Sequence, residues 1–172
     1  MLGISLVLVG IVLVMNGVGK LCKINPKATA LMNTIVASIL LTINIIMLTK
    51  ASTSDDYLNV ASGLLFAITY IFLAALNFFN MDPRPFGWYS LFVVIYAIVM
   101  AIVSFTSGVW LMGVLWIIWS LLWLEGFLEL ACKVKIGAIF PYLSIFEGAI
   151  ACFIPGMLML LNIIQNGVLV IG

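Results

Sequence analysis

The sequence predicts an all-α integral membrane fold: a bundle of six transmembrane helices built as three consecutive helical hairpins. Three observations predict it. Of the 172 residues, 66% are apolar and 8% are charged, against about 25% charged in a soluble domain. Charges and turn residues divide the chain into six apolar stretches, roughly 2–19, 28–48, 58–79, 87–106, 109–131 and 139–164. Each is long enough to cross about 30 Å of hydrocarbon at about 1.5 Å per residue. The basic residues also alternate between successive connections. The whole chain, 1–172, therefore reads as one transmembrane channel-like domain with no room for a second, water-soluble one.

Each span has its own signature. The first is apolar from its start, with no basic n-region and no small-residue cleavage site, so it reads as a retained span and not a signal peptide. The connection after it holds Lys20, Lys23 and Lys27. The second span carries Asn33 and Asn44, a residue type that joins transmembrane helices by hydrogen bonds. The next connection, Lys50 to Tyr57, holds Lys50 with Asp55 and Asp56 as a short solvated acidic patch. The third span carries Phe66 and Tyr70 and ends at the turn Asn80 to Phe86, which contains Arg84. The fourth span leads through Ser107-Gly108 into the fifth, which holds the tryptophan triad. Lys133 and Lys135 lie in the connection Cys132 to Ala138, and the sixth span holds Glu147.

Connections one, three and five hold Lys20, Lys23, Lys27, Arg84, Lys133 and Lys135; connections two and four hold only Lys50. Positive residues stay on the cytoplasmic side, so both termini are expected outside the cytoplasm. A weak repeat accompanies this alternation. Pro26, Pro83 and Pro141 stand at the entry to alternate spans, at separations of 57 and 58 residues. Two of them share a local pattern, Asn25-Pro26-Lys27 and Asp82-Pro83-Arg84, which favours turn initiation and a helix start. Evenly spaced turns in any hairpin bundle are the alternative explanation.

Composition also narrows function. A net charge of +1 gives no footprint for nucleic acid. Three cysteines form neither an even disulfide set nor a metal spacing, and no histidine is present. The catalytic and nucleotide-binding sequence motifs are missing too. No enzyme, metal or cofactor is expected.

Trp116, Trp119 and Trp123 are spaced i, i+3, i+7, which puts them on one helix face. Tryptophan in a membrane prefers the headgroup interface, so three indoles at mid-depth imply a face turned to protein or a pore. Counting from the basic ends places Trp123, Tyr70 and Glu147 at a common depth of about 12–14 Å. Phe66 falls level with Trp119, and Trp116 lies one layer further out. Ordinary helix packing is the competing reading of the aromatic stripe. Glu147 is the sharpest single residue: an acid at that depth costs about 3 kcal/mol or more unless it faces protein or water. It is read as a hydrogen-bond acceptor lining a pathway, against a neutral structural acid. Asn16 and Glu125 are candidates for an inner vestibule, while Glu129 and Lys133 read as an i, i+4 pair.

Several segments resemble the bacterial urea/amide channel family of the AmiS/UreI type. They are Met1-Leu2-Gly3 with Val9-Gly10-Ile11-Val12-Leu13, Asn16-Gly17, Pro26-Lys27, Gly63-Leu64-Leu65-Phe66 with Thr69-Tyr70, and Arg84-Pro85 with Trp88-Tyr89-Ser90-Leu91-Phe92-Val93. The Trp116/Trp119/Trp123-Leu124 run and Ile145-Phe146-Glu147-Gly148 complete the set. The resemblance implies a six-helix protomer with a urea pore, assembled as a homohexamer in the bacterial plasma membrane. It further implies constrictions at Phe66, Tyr70, Trp116, Trp119 and Trp123 with Glu147 nearby. Urea or short amides would be the substrates, membrane lipid a partner, and a cytoplasmic urease or amidase a functional link. One departure stands out. Acid-gated members of the family have long, histidine-bearing outer loops; here the outer connections are short and histidine is absent. The expectation is a passive channel open at neutral pH. The other readings are a proton-coupled small-amide transporter using Glu147, and a structural membrane subunit of a larger complex.

Overall fold

Proline and an Asx side chain start the helices at one end of the bundle. The computed structural model describes residues 1–137, 139–165 and 168–169; the last residue of the fifth connection, Ala138, lies outside them. The helices are α1 (Leu2–Leu21), α2 (Pro26–Leu48), α3 (Ser54–Phe79), α4 (Arg84–Thr106) and α5 (Trp110–Gly126), the last continuing as a π-helical turn over Phe127–Ala131. The sixth crossing comprises α6 (Ile139–Phe146), a π-helical segment Glu147–Phe153, and α7 (Ile154–Leu160). Two short strands, Ile164–Gln165 and Val168–Leu169, pair antiparallel after it.

The weak sequence repeat has a structural counterpart. Asn25 Oδ1 accepts the Lys27 N–H at 2.9 Å, and Asp82 Oδ1 accepts the Arg84 N–H at 3.0 Å. Three residues before each proline the backbone is left-handed, at Lys23 (φ 52°) and Asn80 (φ 50°). Both halves therefore use the same device: a left-handed stop followed by an Asx-Pro start. Beside Asp82, the Arg84 guanidinium holds its carboxyl down to about 2.

Two boundaries differ from a hydropathy reading. The α3 helix begins at Ser54 because Thr53 and Asp56 form a capping box, with Thr53 Oγ1 accepting the Asp56 N–H at 3.2 Å and Asp56 Oδ2 accepting the Thr53 N–H at 3.0 Å. Asp56 is thus a helix cap as well as part of a solvated patch. The sixth crossing stops at Leu160, four residues before the hydropathy limit. Asn162 turns left-handed (φ 59°) and the Ile163 N–H reaches back to the Leu158 carbonyl at 2.9 Å, which closes the helix end. The expected Glu129–Lys133 pair does not form. The π-helical turn ends at Ala131 and Lys133 is left-handed (φ 57°), so i, i+4 spacing no longer shares a helix face.

The chain passes back and forth through consecutive hairpins, yet its packing is uneven. Extensive contact lies between α2 and α3, between α4 and α5, and between α1 and the sixth crossing. Helices joined by the proline turns touch much less. Apolar association does not hold helices together in lipid, so close approach must come from small residues and hydrogen bonds. Gly3, Gly10 and Gly17, seven apart on α1, supply the first. A Cβ at Gly10 would lie 2.6 Å from the Gly148 carbonyl oxygen and 2.7 Å from the Phe153 nitrogen. Ser144 supplies the second, its Oγ donating to the Leu13 carbonyl at 2.7 Å. Asn44 fits against Gly63 of α3 and donates to its own helix at Leu40.

Candidate functional site

The looser seams between the helices joined at the proline turns enclose a cavity of about 960 Å³. Its wall begins at Pro26, Pro83 and Pro141, with the exposed Lys20 and Lys23, and runs inward to Leu13, Phe66, Thr69, Tyr70, Trp119, Trp123 and Glu147. Asn16 and Glu125 also line it. The structure therefore brings seven of the eight candidate residues onto one surface. The eighth, Trp116, is not in that wall. It lies behind it, packed against Trp119 (ring centroids 5.1 Å), Phe66 (6.3 Å) and Tyr96 (5.9 Å).

Phe66 is the hub of the aromatic cluster. Its ring meets Trp119 edge-on at 5.5 Å and Trp123 at 5.0 Å. These are the edge-to-face arrangements that aromatic quadrupoles favour. Helical spacing explains why α3 offers Phe66 and Tyr70 on one side and α5 offers its indoles on the facing side.

Both inner indoles have their N–H groups occupied by protein acceptors. The Trp123 Nε1–H donates to Thr69 Oγ1 at 3.3 Å, while the Thr69 hydroxyl donates to the Leu65 carbonyl at 2.8 Å. Tyr89 donates to that same carbonyl at 2.6 Å. The Trp119 Nε1–H donates to the Ala151 carbonyl at 3.2 Å. That carbonyl is available for a sequence reason. Pro155 stands four residues later and has no N–H to give it. With their N–H groups occupied, the indoles offer the cavity their rings. Thr69, Tyr89 and Pro155 are the residues that sequence reasoning left without a role. Only Pro155 carried a readable signal, a helix breaker within an apolar span.

Glu147 opens the π-helical segment of the sixth crossing and is 1% exposed. Its Oε1 has no hydrogen-bond partner among the described residues. Single-turn π segments are frequent at functional sites. Tyr70 is fully buried beside Glu147 and Cys152. Asn16 Nδ2 donates to Asn33 Oδ1 at 3.0 Å and Asn33 Nδ2 donates back to Asn16 Oδ1 at 2.8 Å, so one residue both joins α1 to α2 and lines the cavity. Glu125 is 5% exposed, and its Oε1 also lacks a partner among the described residues. No group of three or more His, Cys, Asp or Glu suited to a metal occurs among those residues.

The cavity wall therefore combines aromatic rings, at Phe66, Trp119 and Trp123, with the phenol of Tyr70 and the carboxyl of Glu147.

The model of the AmiS/UreI family transporters matches residues 1–163. An acid-activated urea channel of Helicobacter pylori is 35% identical over 94% of this chain and 98% of its own length. A protein of Rhodococcus erythropolis named as transporter protein AmiS2 is 31% identical over 91% of this chain and 78% of its own. The crystal structure of the Helicobacter pylori urea channel superposes with a TM-score of 0.88 at 36% identity, covering 94% of this chain and 98% of that one. A cryo-electron microscopy structure of the same channel in a closed state gives a TM-score of 0.88 at 35% identity, over 96% and 100%.

Proposed function

The chain belongs to the AmiS/UreI family of membrane transporters, and from that premise we propose that it is a passive urea channel, with short amides and water as further permeants. It is a transport protein and not an enzyme. One observation carries the proposal: Phe66 set against Trp119 and Trp123 at the inner end of a single cavity, beside the free carboxyl oxygen of Glu147. Urea is planar and neutral, with four N–H bonds and one carbonyl. Ring faces hold it by dispersion and N–H···π contact as water is stripped. Tyr70 donates to its carbonyl, and Glu147 accepts from its amides. Many weak contacts let the solute both enter and leave. Trp116 acts as the outer backing of the slot.

In this reading the proline-turn end is cytoplasmic, both termini lie outside the cytoplasm, and the membrane is the bacterial plasma membrane. The six basic residues of connections one, three and five support that orientation. Assembly is a homohexamer with lipid at its surfaces, serving a cytoplasmic urease or amidase.

The pathway stays open at neutral pH. The relative from Helicobacter pylori is acid-activated, and its alignment runs over 193 positions, more than the 172 residues present here. This chain has no histidine. Its outer connections are the short segment between Leu48 and Ser54 and the turn at Gly108 (φ 77°). Neither has the length for a titrating lid.

Stopped-flow urea flux in proteoliposomes at pH 7.5 and 5, for wild type and Trp123→Ala, tests the proposal. Fast flux at both pH values, altered by the substitution, is expected. Flux that appears only at pH 5 would defeat the open-channel reading. The unpartnered Glu147 oxygen favours one second reading, a proton-coupled amide carrier. Uphill urea or acetamide uptake driven by a pH gradient would establish it.

A further inference from the structure

We propose, resting on the urea-channel reading above, that Tyr89 and Tyr96 are positioning residues that determine specificity: their hydroxyls fix the separation of α3 from α5, and so the width of the aromatic slot. The two walls of the slot belong to different packed pairs. Phe66 and Tyr70 stand on α3, which packs extensively on α2; Trp119 and Trp123 stand on α5, which packs extensively on α4. Between α3 and α4 contact is slight. Close packing therefore does not set the spacing of the pairs, and in lipid hydrogen bonds must do so.

Among the described residues, the side-chain hydrogen bonds that cross from α4 and α5 to α3 are made by Tyr89, Tyr96 and Trp123. The two tyrosines use one repeated device. Tyr89 donates to the Leu65 carbonyl at 2.6 Å, where the Thr69 hydroxyl also donates at 2.8 Å. Tyr96 donates to the Leu58 carbonyl at 3.1 Å, where the Ser62 hydroxyl also donates at 2.8 Å. In each case the two hydroxyls lie together, at 3.4 Å for Tyr89 and Thr69 and 2.9 Å for Tyr96 and Ser62. The tyrosines are seven residues apart on α4 and the leucines seven apart on α3. That is about two turns on each helix, so the two struts stand one above the other along the seam.

Each strut ends at the slot. Thr69, held by Tyr89, accepts the Trp123 Nε1–H at 3.3 Å. The Tyr96 ring meets Trp116 at 5.9 Å, and Trp116 backs Trp119 and Phe66. Neither tyrosine is in the cavity wall, so both act through other residues. Phenylalanine at either position keeps the ring. Thr69 and Ser62 still donate to the two carbonyls, so no buried acceptor is stranded and the fold survives. What is lost is the tie between the packed pairs. The slot then admits solutes wider than urea.

The test compares urea with N,N′-dimethylurea flux by stopped flow, using the full-length protein in proteoliposomes. The long-wavelength indole bands of near-ultraviolet circular dichroism are recorded on the same variants without solute. Tyr89→Phe and Tyr96→Phe should each lower the urea-to-dimethylurea flux ratio about threefold or more, by admitting dimethylurea, and should weaken the indole bands. Ser144→Ala is the control. It removes a cross-helix bond of 2.7 Å to Leu13 within the tight pair of α1 and the sixth crossing, and should change neither readout. A ratio unchanged in both tyrosine variants, or lowered as much by Ser144→Ala, overturns the struts. A wild type that passes no urea defeats the channel reading instead, and the indole bands then decide. Bands unaltered by both tyrosine substitutions overturn the struts; bands weakened by those two and not by Ser144→Ala uphold them.

Discussion

Trp119→Phe separates a tethered indole from a merely apolar one. Trp119 is 2% exposed and donates to the Ala151 carbonyl at 3.2 Å. Phenylalanine keeps a ring against Phe66 and Trp116 but removes the donor. The carbonyl loses this partner in a place where Pro155 cannot supply another. An interhelical hydrogen bond in a membrane contributes about 0.6 kcal/mol on average and up to about 1.7. Stranding the acceptor moves this case to the upper end, and the smaller ring forfeits some packing, so the expected loss is about 2 kcal/mol. Trp123→Phe is the internal control. Its indole donates to the Thr69 hydroxyl, and that hydroxyl keeps its own bond to Leu65, so no carbonyl is stranded. The control forfeits similar packing but strands no acceptor, and should lose about 1 kcal/mol. Unfolding titrated with an ionic detergent and followed by near-ultraviolet circular dichroism measures both. Trp119→Phe that proves as stable as Trp123→Phe would refute the reasoning, because the pairing of Pro155 with the indole would then contribute nothing.

Three further outcomes are expected. Gly10→Ala puts a methyl 2.6 Å from the Gly148 oxygen and 2.7 Å from the Phe153 nitrogen, both backbone atoms; it should cost about 2 kcal/mol or more by overpacking, read in the same titration. Glu147→Gln keeps an acceptor oxygen and should hold urea flux within a few-fold, while Glu147→Leu should lower it about tenfold, measured by stopped flow; equal loss in both would favour a proton carrier. Urea flux at pH 5 and 7.5 should agree within about twofold. Asp82, in the turn before α4, is consistent with this. Its carboxyl is depressed to about 2, so its charged contacts are complete above the ordinary value of 3.8 and are lost only as pH falls through about 2. A clear rise in flux at pH 5 would point to a titrating group elsewhere.

The six crossings were legible because apolar runs of span length have few other uses. The candidate site was legible in part, and for a related reason: helical spacing fixes which side chains share a face, so Trp123 could be set level with Tyr70, and Trp119 with Phe66, by counting. What counting could not give was partnership. Asn33 was readable as a joining residue, but its partner Asn16 lies across the turn in a pair settled only by the angle between α1 and α2. The glycines of α1 repeat every seven residues in plain view. Their meaning depends on Gly148 and Gly156, more than 130 positions away in the case of Gly10. The Glu129–Lys133 expectation failed for the same kind of reason. It assumed α-helical continuity through Ala131, and a π-helical turn is set by tertiary surroundings more than by residue identity.

Those π-helical segments connect the unexplained acids to the rest of the design. Glu147 begins one of them; Glu125 stands two residues before the other and Glu129 lies within it. A π turn releases a backbone carbonyl from the helical ladder, which lipid does not tolerate. It survives only where protein or a wet cavity takes the freed group. At Ala151 an indole takes it. Along α5 the turn borders the cavity itself. Both irregular stretches border the cavity, and each holds or adjoins an acid whose Oε1 is buried without a hydrogen-bond partner among the described residues. Regular helices would have packed these crossings more simply. The departures from regularity and the buried acids therefore share one place in the fold, the wall of the cavity between α3, α5 and the sixth crossing.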